Sequence, residues 1–339
     1  MNDEQKKNFK EIEKSLKEIK DIISKPNLSD IKDINNIVAE ASSIYERFPD
    51  SEDVAFQYVS TLYTLASRQE SLDDLKATVA KVSSIYERFP DSEAVAFQYV
   101  NTLDTLASRQ ESLDDVKAAV AEASSIYKTF PDSEAVAFVY VSTLNTLASR
   151  QESLDDVKAV VAEASSIYEM FPDSEDVASV YVSTLYTLAS RQESLDDLKV
   201  TVGKASGVYE MFPDSEDVAC AYVRTLSTLA KSQESLKATV AKASSIYKMF
   251  PDSEAVASVY VSTLNTLASK QESLDDVEAT VAKASSIYKT FPDSEAVACA
   301  YVSTLNTLAS KQESLDGLKA TVAEASSIYE MFPDSEDVA

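Results

Sequence analysis

The 339-residue chain contains no histidine and no tryptophan, and only three glycines and two cysteines. Each absence removes a class of chemistry. Histidine is the usual general base near neutral pH and a standard zinc ligand, so acid-base and zinc sites lack a main component. There is no Gly-rich phosphate loop, no Cys-x-x-Cys pair and no serine with a neighbouring base, which removes the nucleotide, thiol-metal and nucleophile routes. The composition therefore reads as that of a non-enzyme without a cofactor. Gly203, Gly207 and Gly317 are too few for the turns of a sheet, whereas 45% hydrophobic residues, rich in alanine, valine and leucine, suit an all-α chain. No apolar run approaches the length of about 18 residues that a span needs, and no charged-then-apolar leader follows Met1. Neither membrane insertion nor secretion is expected, and the expected location is cytoplasmic.

What the chain does have is repetition. A string close to Ser-Ser-Ile-Tyr-x-x-Phe-Pro-Asp-Ser-Glu recurs on Tyr45, Tyr86, Tyr127, Tyr168, Tyr209, Tyr247, Tyr288 and Tyr329, every 41 residues except for 38 between Tyr209 and Tyr247. A period of 20 to 50 residues is that of stacked supersecondary units, each burying its apolar faces against its neighbours. Cys220 and Cys299 fall at one repeat position, two units apart. With layers about 8 to 10 Å apart they are too distant for a disulfide.

Each unit divides into two helices. From about Glu52 to Gln69, residues Val54, Ala55, Tyr58, Val59, Leu62, Leu65 and Ala66 fall within one arc of about 140°, a broad buried face. Asp50, after Pro49, is the expected N-cap, with Glu52 and Asp53 complementing the helix dipole. The second helix opens at Ser71, where Asp74 takes the place of the acid in a capping box. Its apolar residues Leu72, Leu75, Val79, Val82, Tyr86 and Phe89 step by three and four, a helical stripe. The short stretch between the two makes the pair antiparallel.

A two-helix unit with small and aromatic packing residues and a proline after its second helix resembles the tetratricopeptide (TPR) family. The resemblance covers residues 29–339, and Ile85-Tyr86-Glu87-Arg88-Phe89-Pro90-Asp91 with its copies is the best local match. The unit is 41 residues where the family standard is about 34, and with Tyr58 on the first-helix aromatic, Leu62 falls where the family prefers Gly or Ala. A HEAT-like helix pair is the alternative. The resemblance implies a right-handed α-solenoid of antiparallel helix pairs that works as a protein-protein interaction scaffold and takes a peptide or helix on its concave, first-helix side.

The array is expected over residues 29–339, with seven full first helices and eight second helices, preceded by a capping helix and linker over residues 1–28. In the cap, Phe9, Ile12, Leu16, Ile19 and Ile23 form one stripe among charges, as a terminal helix with one solvated face should. Between Glu234 and Lys237 the Asp-Asp-Leu or Asp-Asp-Val of the other units is missing, nearly one helical turn. With Gly203 and Gly207 in the preceding second helix, a local irregularity is expected over residues 200–245. After Phe332 only the start of another first helix follows. Leu318, Val322, Ile328, Tyr329 and Phe332 are therefore the candidate self-association face, for pairing through the C-terminal face or for end-to-end oligomers and filaments.

The acids allow two readings. Pairs such as Asp73 and Asp74, or Asp155 and Asp156, recur at helix starts, which points to capping far more than to acid-base work. They also lack the alternating acids and glycine of a calcium loop. The net charge of −26 repels nucleic acid and anionic membranes and favours a basic protein or peptide partner.

Comparison among the units marks a candidate binding stripe on the first helices. Phe56, Phe97, Phe138, Ser179, Cys220, Ser258 and Cys299 share one position; Ser60, Asn101, Ser142, Ser183, Arg224, Ser262 and Ser303 a second; Tyr63, Asp104, Asn145, Tyr186, Ser227, Asn265 and Asn306 a third. Steps of four and three align them opposite the buried arc. Drift at solvent-facing positions accounts for such variation as well as recognition does. The three phenylalanines, large apolar groups on a polar face at one end of the array, tilt the reading toward recognition.

Overall fold

The computed structural model describes residues 31–230, 236–333 and 335, with Lys14 and Lys17. Apart from those two lysines, the helix expected over residues 1–28 lies outside the described residues. Among them the structure is helical, with no strand. The first helices are α2 (Glu52–Arg68), α4 (Glu93–Arg109), α6 (Glu134–Arg150), α8 (Glu175–Arg191), α10 (Glu216–Ala230), α12 (Glu254–Lys270) and α14 (Glu295–Lys311). The second helices are α1 (Ile31–Arg47), α3 (Leu72–Tyr86), α5 (Leu113–Thr129), α7 (Leu154–Met170), α9 (Leu195–Met211), α11 (Leu236–Met249), α13 (Leu274–Tyr288) and α15 (Leu315–Met331). The chain divides into two units, Met1–Val177 and Ala178–Ala339.

The repeat string dictates where helices stop and start. A residue before proline is driven out of the helical region, and Phe130 at φ −122°, ψ 59° ends α5 in that way. The N–H of Ser51 donates to the Phe48 carbonyl at 3.1 Å, so Pro49 and Asp50 form the middle of a turn. This corrects the expected N-cap. It is Ser51, in extended conformation, whose side chain accepts from the Val54 N–H. Ser92, Ser133, Ser253 and Ser294 repeat the arrangement. Ser71 caps α3 as expected, accepting from the Asp74 N–H at 3.3 Å.

All seven residues of the expected first-helix arc in α2 are buried. Thr61 joins them, its hydroxyl donating to the Gln57 carbonyl at 2.7 Å, which leaves a β-branched side chain of small volume with no polar group unsatisfied. These small residues allow direct contact between first helices. In the first unit α4 packs on both α2 and α6, and in the second α12 packs on both α10 and α14. Within either unit no second helix approaches another second helix to a Cα–Cα distance of 8 Å among the described residues; each packs only on first helices. First helices therefore converge on one side of each unit, and second helices splay on the other.

Polar and aromatic ladders hold this register at both ends of the first helices. At the N-terminal end the cap serine donates to the first glutamate of the preceding first helix, Ser133 to Glu93 at 2.5 Å and Ser294 to Glu254 at 2.5 Å. At the C-terminal end the last basic residue reaches back to carbonyls of the preceding first helix. Arg109 donates to the Ser67 carbonyl at 2.7 Å, and Lys311 to those of Ser269 at 2.9 Å and Gln271 at 2.6 Å. Such cations also offset the negative end of the helix dipole. Within either unit, the repeat tyrosine of a second helix meets the tyrosine of the next first helix, with ring centroids 5.5 Å apart for Tyr86–Tyr99 and 5.3 Å for Tyr127–Tyr140 and Tyr288–Tyr301. Each such pair contributes about 0.5–1.5 kcal/mol beyond its buried area. Tyr140 and Tyr301 then donate to Glu163 at 2.5 Å and Glu324 at 2.6 Å. Burial, and next the neighbouring glutamate, push both phenols well above their ordinary range, so the donors stay protonated.

The shortened unit shows in α11, which has 14 residues and no acid in its first turn. Gly203 and Gly207 do not interrupt α9. Neither has positive φ, and a Cβ at either would meet nothing within 4 Å. Both glycines thus weaken the helix without serving a close approach. Gly203→Ala and Gly207→Ala are each expected to stabilise the chain by about 0.5–1 kcal/mol, read as an upward shift of the thermal midpoint; an unchanged or lowered midpoint contradicts this.

Candidate functional site

The candidate stripe lies where first helices converge, and this changes its character. In the first unit Phe56, Ser60, Tyr63, Phe97, Asn101, Asp104, Phe138 and Asn145 are all half-buried rather than solvent-facing, since neighbouring first helices pack directly against one another. Several polar members are tied down. Ser60 donates to the Phe56 carbonyl at 2.8 Å and the Asn101 amide to that of Phe97 at 3.0 Å. Ser142 donates to Asp104 Oδ2 at 3.1 Å, while Asp104 Oδ1 is buried without a hydrogen-bond partner. Burial raises the Asp104 carboxyl above its ordinary range, opposed by the Ser142 hydrogen bond.

In the second unit the stripe opens into a groove of about 360 Å³. Tyr186, Arg224 and Asn265 line it together with Ser227, Ser258, Ser262, Cys299 and Ser303, and with the apolar Val259, Ala296 and Ala300. The first eight all stand on the stripe marked in the sequence, which did not show the space between them. The signal for it was the exchange of phenylalanine for Ser258 and Cys299 at one repeat position. Asn306 is exposed and lines a different cavity, with Val302, Thr321, Val322 and Tyr329.

Asn265 accepts from the Thr307 hydroxyl at 2.8 Å through Oδ1, which leaves its NH₂ end to donate elsewhere. Neither Cys220 nor Cys299 is joined in a disulfide, and both are half-buried. Burial pushes the Cys220 thiol up, against the pull of Arg224 beside it. Among the described residues no three acids or cysteines gather as a metal site, and no helix is long and apolar enough to cross a membrane.

The candidate self-association face divides. Val322 and Tyr329 are exposed by 51% and 44%, and Leu318 and Phe332 are half-buried. Ile328 is a correction: it is 2% exposed and belongs to the core. Its equivalents Ile85, Ile126 and Ile287 are buried as well. Ile328 lies on α15, which packs on α14, whereas exposed Val322 stands at a repeat position whose equivalents Val79, Val161 and Val281 are buried.

The helix pairs and their packing decide the architecture. It is an array of repeated helix pairs. No protein-family model matches the chain, and no curated protein is similar to it. Among solved structures it is similar to the crystal structure of the P58(IPK) TPR domain, at 9% identity over 96% of this chain and 100% of that one, with a TM-score of 0.20. A computationally designed self-assembling cyclic homo-oligomer is similar at 16% identity over 96% and 92%, with a TM-score of 0.12. The architecture rests on the helix pairs themselves.

Asp104 supplies a pH-dependent prediction. A carboxyl raised in the folded state binds more protons folded than unfolded between its ordinary and raised values, so stability falls as pH rises through that window. Asp104→Asn, the residue at the equivalent Asn145, should raise the thermal midpoint at pH 7. The gain should vanish below about pH 4, near the ordinary value of an aspartate. A gain that is the same at both pH values excludes the burial argument.

Proposed function

We propose that the chain is a non-enzymatic protein-binding scaffold whose first-helix side takes a peptide or helix from a protein partner. The observation that carries this reading is the row of Phe56, Phe97 and Phe138 on the side of the first unit where first helices converge. Each ring is half-buried rather than sealed in the core. Partly accessible aromatics on a rigid concave surface are what binding anchors require. The carboxylate of Asp104, on the same stripe of α4 as Phe97, suits a basic residue on the ligand of that unit.

A triple variant, Phe56→Ser, Phe97→Ser and Phe138→Ser, tests this with residues that the chain itself carries at Ser179 and Ser258. Pull-down of a partner from the native source should weaken at least about tenfold, while circular dichroism stays helical. Undiminished capture by the folded variant refutes the reading.

The alternative is a structural protein that assembles with copies of itself. The exposure of Val322 and Tyr329 beside a cavity of about 240 Å³ favours a helix of a second copy at that place. Light scattering should then show mass rising with concentration, and Val322→Lys should abolish the rise. A monomer at every concentration excludes it.

A further inference from the structure

The groove of the second unit differs from the rest of the stripe by side-chain volume and by charge. Ser258 and Cys299, which line it, stand at the repeat position that Phe56, Phe97 and Phe138 occupy in the first unit. Two rings are thus replaced by two small side chains, and the space is open. At about 360 Å³ it lies at the lower end of the 300–1,000 Å³ range of ligand pockets, with Val259, Ala296 and Ala300 as its apolar lining.

Its electrostatics run against those of the whole protein. The chain carries a net charge of −26, yet among the described residues lining the groove there is no carboxylate and one guanidinium, that of exposed Arg224. The equivalent positions hold Ser60, Asn101, Ser142, Ser183, Ser262 and Ser303, so this cation belongs to the groove alone. Asn265, with its Oδ1 occupied by Thr307, adds amide donors, and Tyr186 adds a phenol. Donors beside an apolar lining match a ligand that is aromatic at one point and anionic beside it.

We propose that this groove receives an aromatic side chain of an acidic partner peptide, the ring taking the space of the absent phenylalanines and an adjacent aspartate or glutamate pairing with Arg224 and the Asn265 amide. The proposal rests on the reading of the first-helix side as a binding surface and names the ligand chemistry for the second unit. It is opposite in sign to the basic partner that the net charge favours.

The test uses the full chain and three fluorescein-labelled peptides with amidated C-termini: Asp-Glu-Phe-Glu-Asp, the same with alanine for phenylalanine, and the same with lysine for every acid. Anisotropy should show the first bound at least about tenfold more tightly than either other. Ser258→Phe with Cys299→Phe should weaken it about tenfold or more, and Arg224→Ser should weaken it and flatten its salt dependence. Should the double variant lose helicity, alkylation of the unmodified protein gives a second readout. The first peptide should protect Cys299 but not Cys220, which does not line the groove. No binding of the first peptide, equal binding of the alanine peptide, preference for the lysine peptide, an unaffected filled variant that remains folded, or no protection of Cys299 each overturn the proposal. Loss of partner capture in the first-unit phenylalanine variant without binding of these peptides overturns the groove assignment alone. Peptide binding with undiminished capture in that variant overturns the first-unit reading alone.

Discussion

Direct contact between one first helix and the next is the constraint on which the remaining structure depends. It requires small or β-branched side chains on the faces that meet, and Ala55, Thr61 and Ala66 of α2 are all buried; it also requires each threonine hydroxyl to be satisfied within its own helix. Among the described residues of either unit, second helices reach only first helices. Convergence on one side and splaying on the other follow from this unequal contact. The near-constant 41-residue period follows as well, since a helix that must meet two copies of its own contact surface tolerates little change in either.

The charged residues are used mainly as structural partners. Glu93 accepts from Ser133, Glu163 from Tyr140, and Arg150 donates to the Ser108 carbonyl at 3.1 Å. Acids at helix starts and bases at helix ends are what helix dipoles favour, and Glu93, Glu254, Arg109 and Lys311 also bridge to an adjacent first helix. This accounts for repeated acids without catalysis. It also separates global from local electrostatics. An acidic molecule still presents a half-buried aspartate in the first unit and an arginine on a groove lined by no carboxylate in the second, because the stripe that varies is not the part of the helix that makes the ladders.

Much of the fold was legible from local rules. The 3.6-residue periodicity identified the buried arc of α2 from Val54 to Ala66, and serine-acid spacing located the start of α3 at Ser71. Both depend on residues within one or two turns of each other, which a linear reading can judge. The same kind of rule failed at Asp50, where a turn closed by Phe48 and Ser51 moved the cap by one residue. It also missed Thr61, whose polarity conceals that its hydroxyl is satisfied four residues back and that its methyl group packs in the core.

The amino-acid sequence by itself determined that this protein is a helical repeat array, how each unit divides into two helices, and which stripe of the first helix is free to vary. These follow from period, capping and turn chemistry, all short-range. Only the tertiary structure decided that the stripe is half-buried, that the phenylalanines lie where helices converge, that Ser258 and Cys299 leave a groove beside Arg224, and that Ile328 belongs to the core while Val322 does not. Those outcomes depend on side-chain volumes where helices about 40 residues apart in the chain meet, and a volume becomes a contact or a cavity only once both helices are in place.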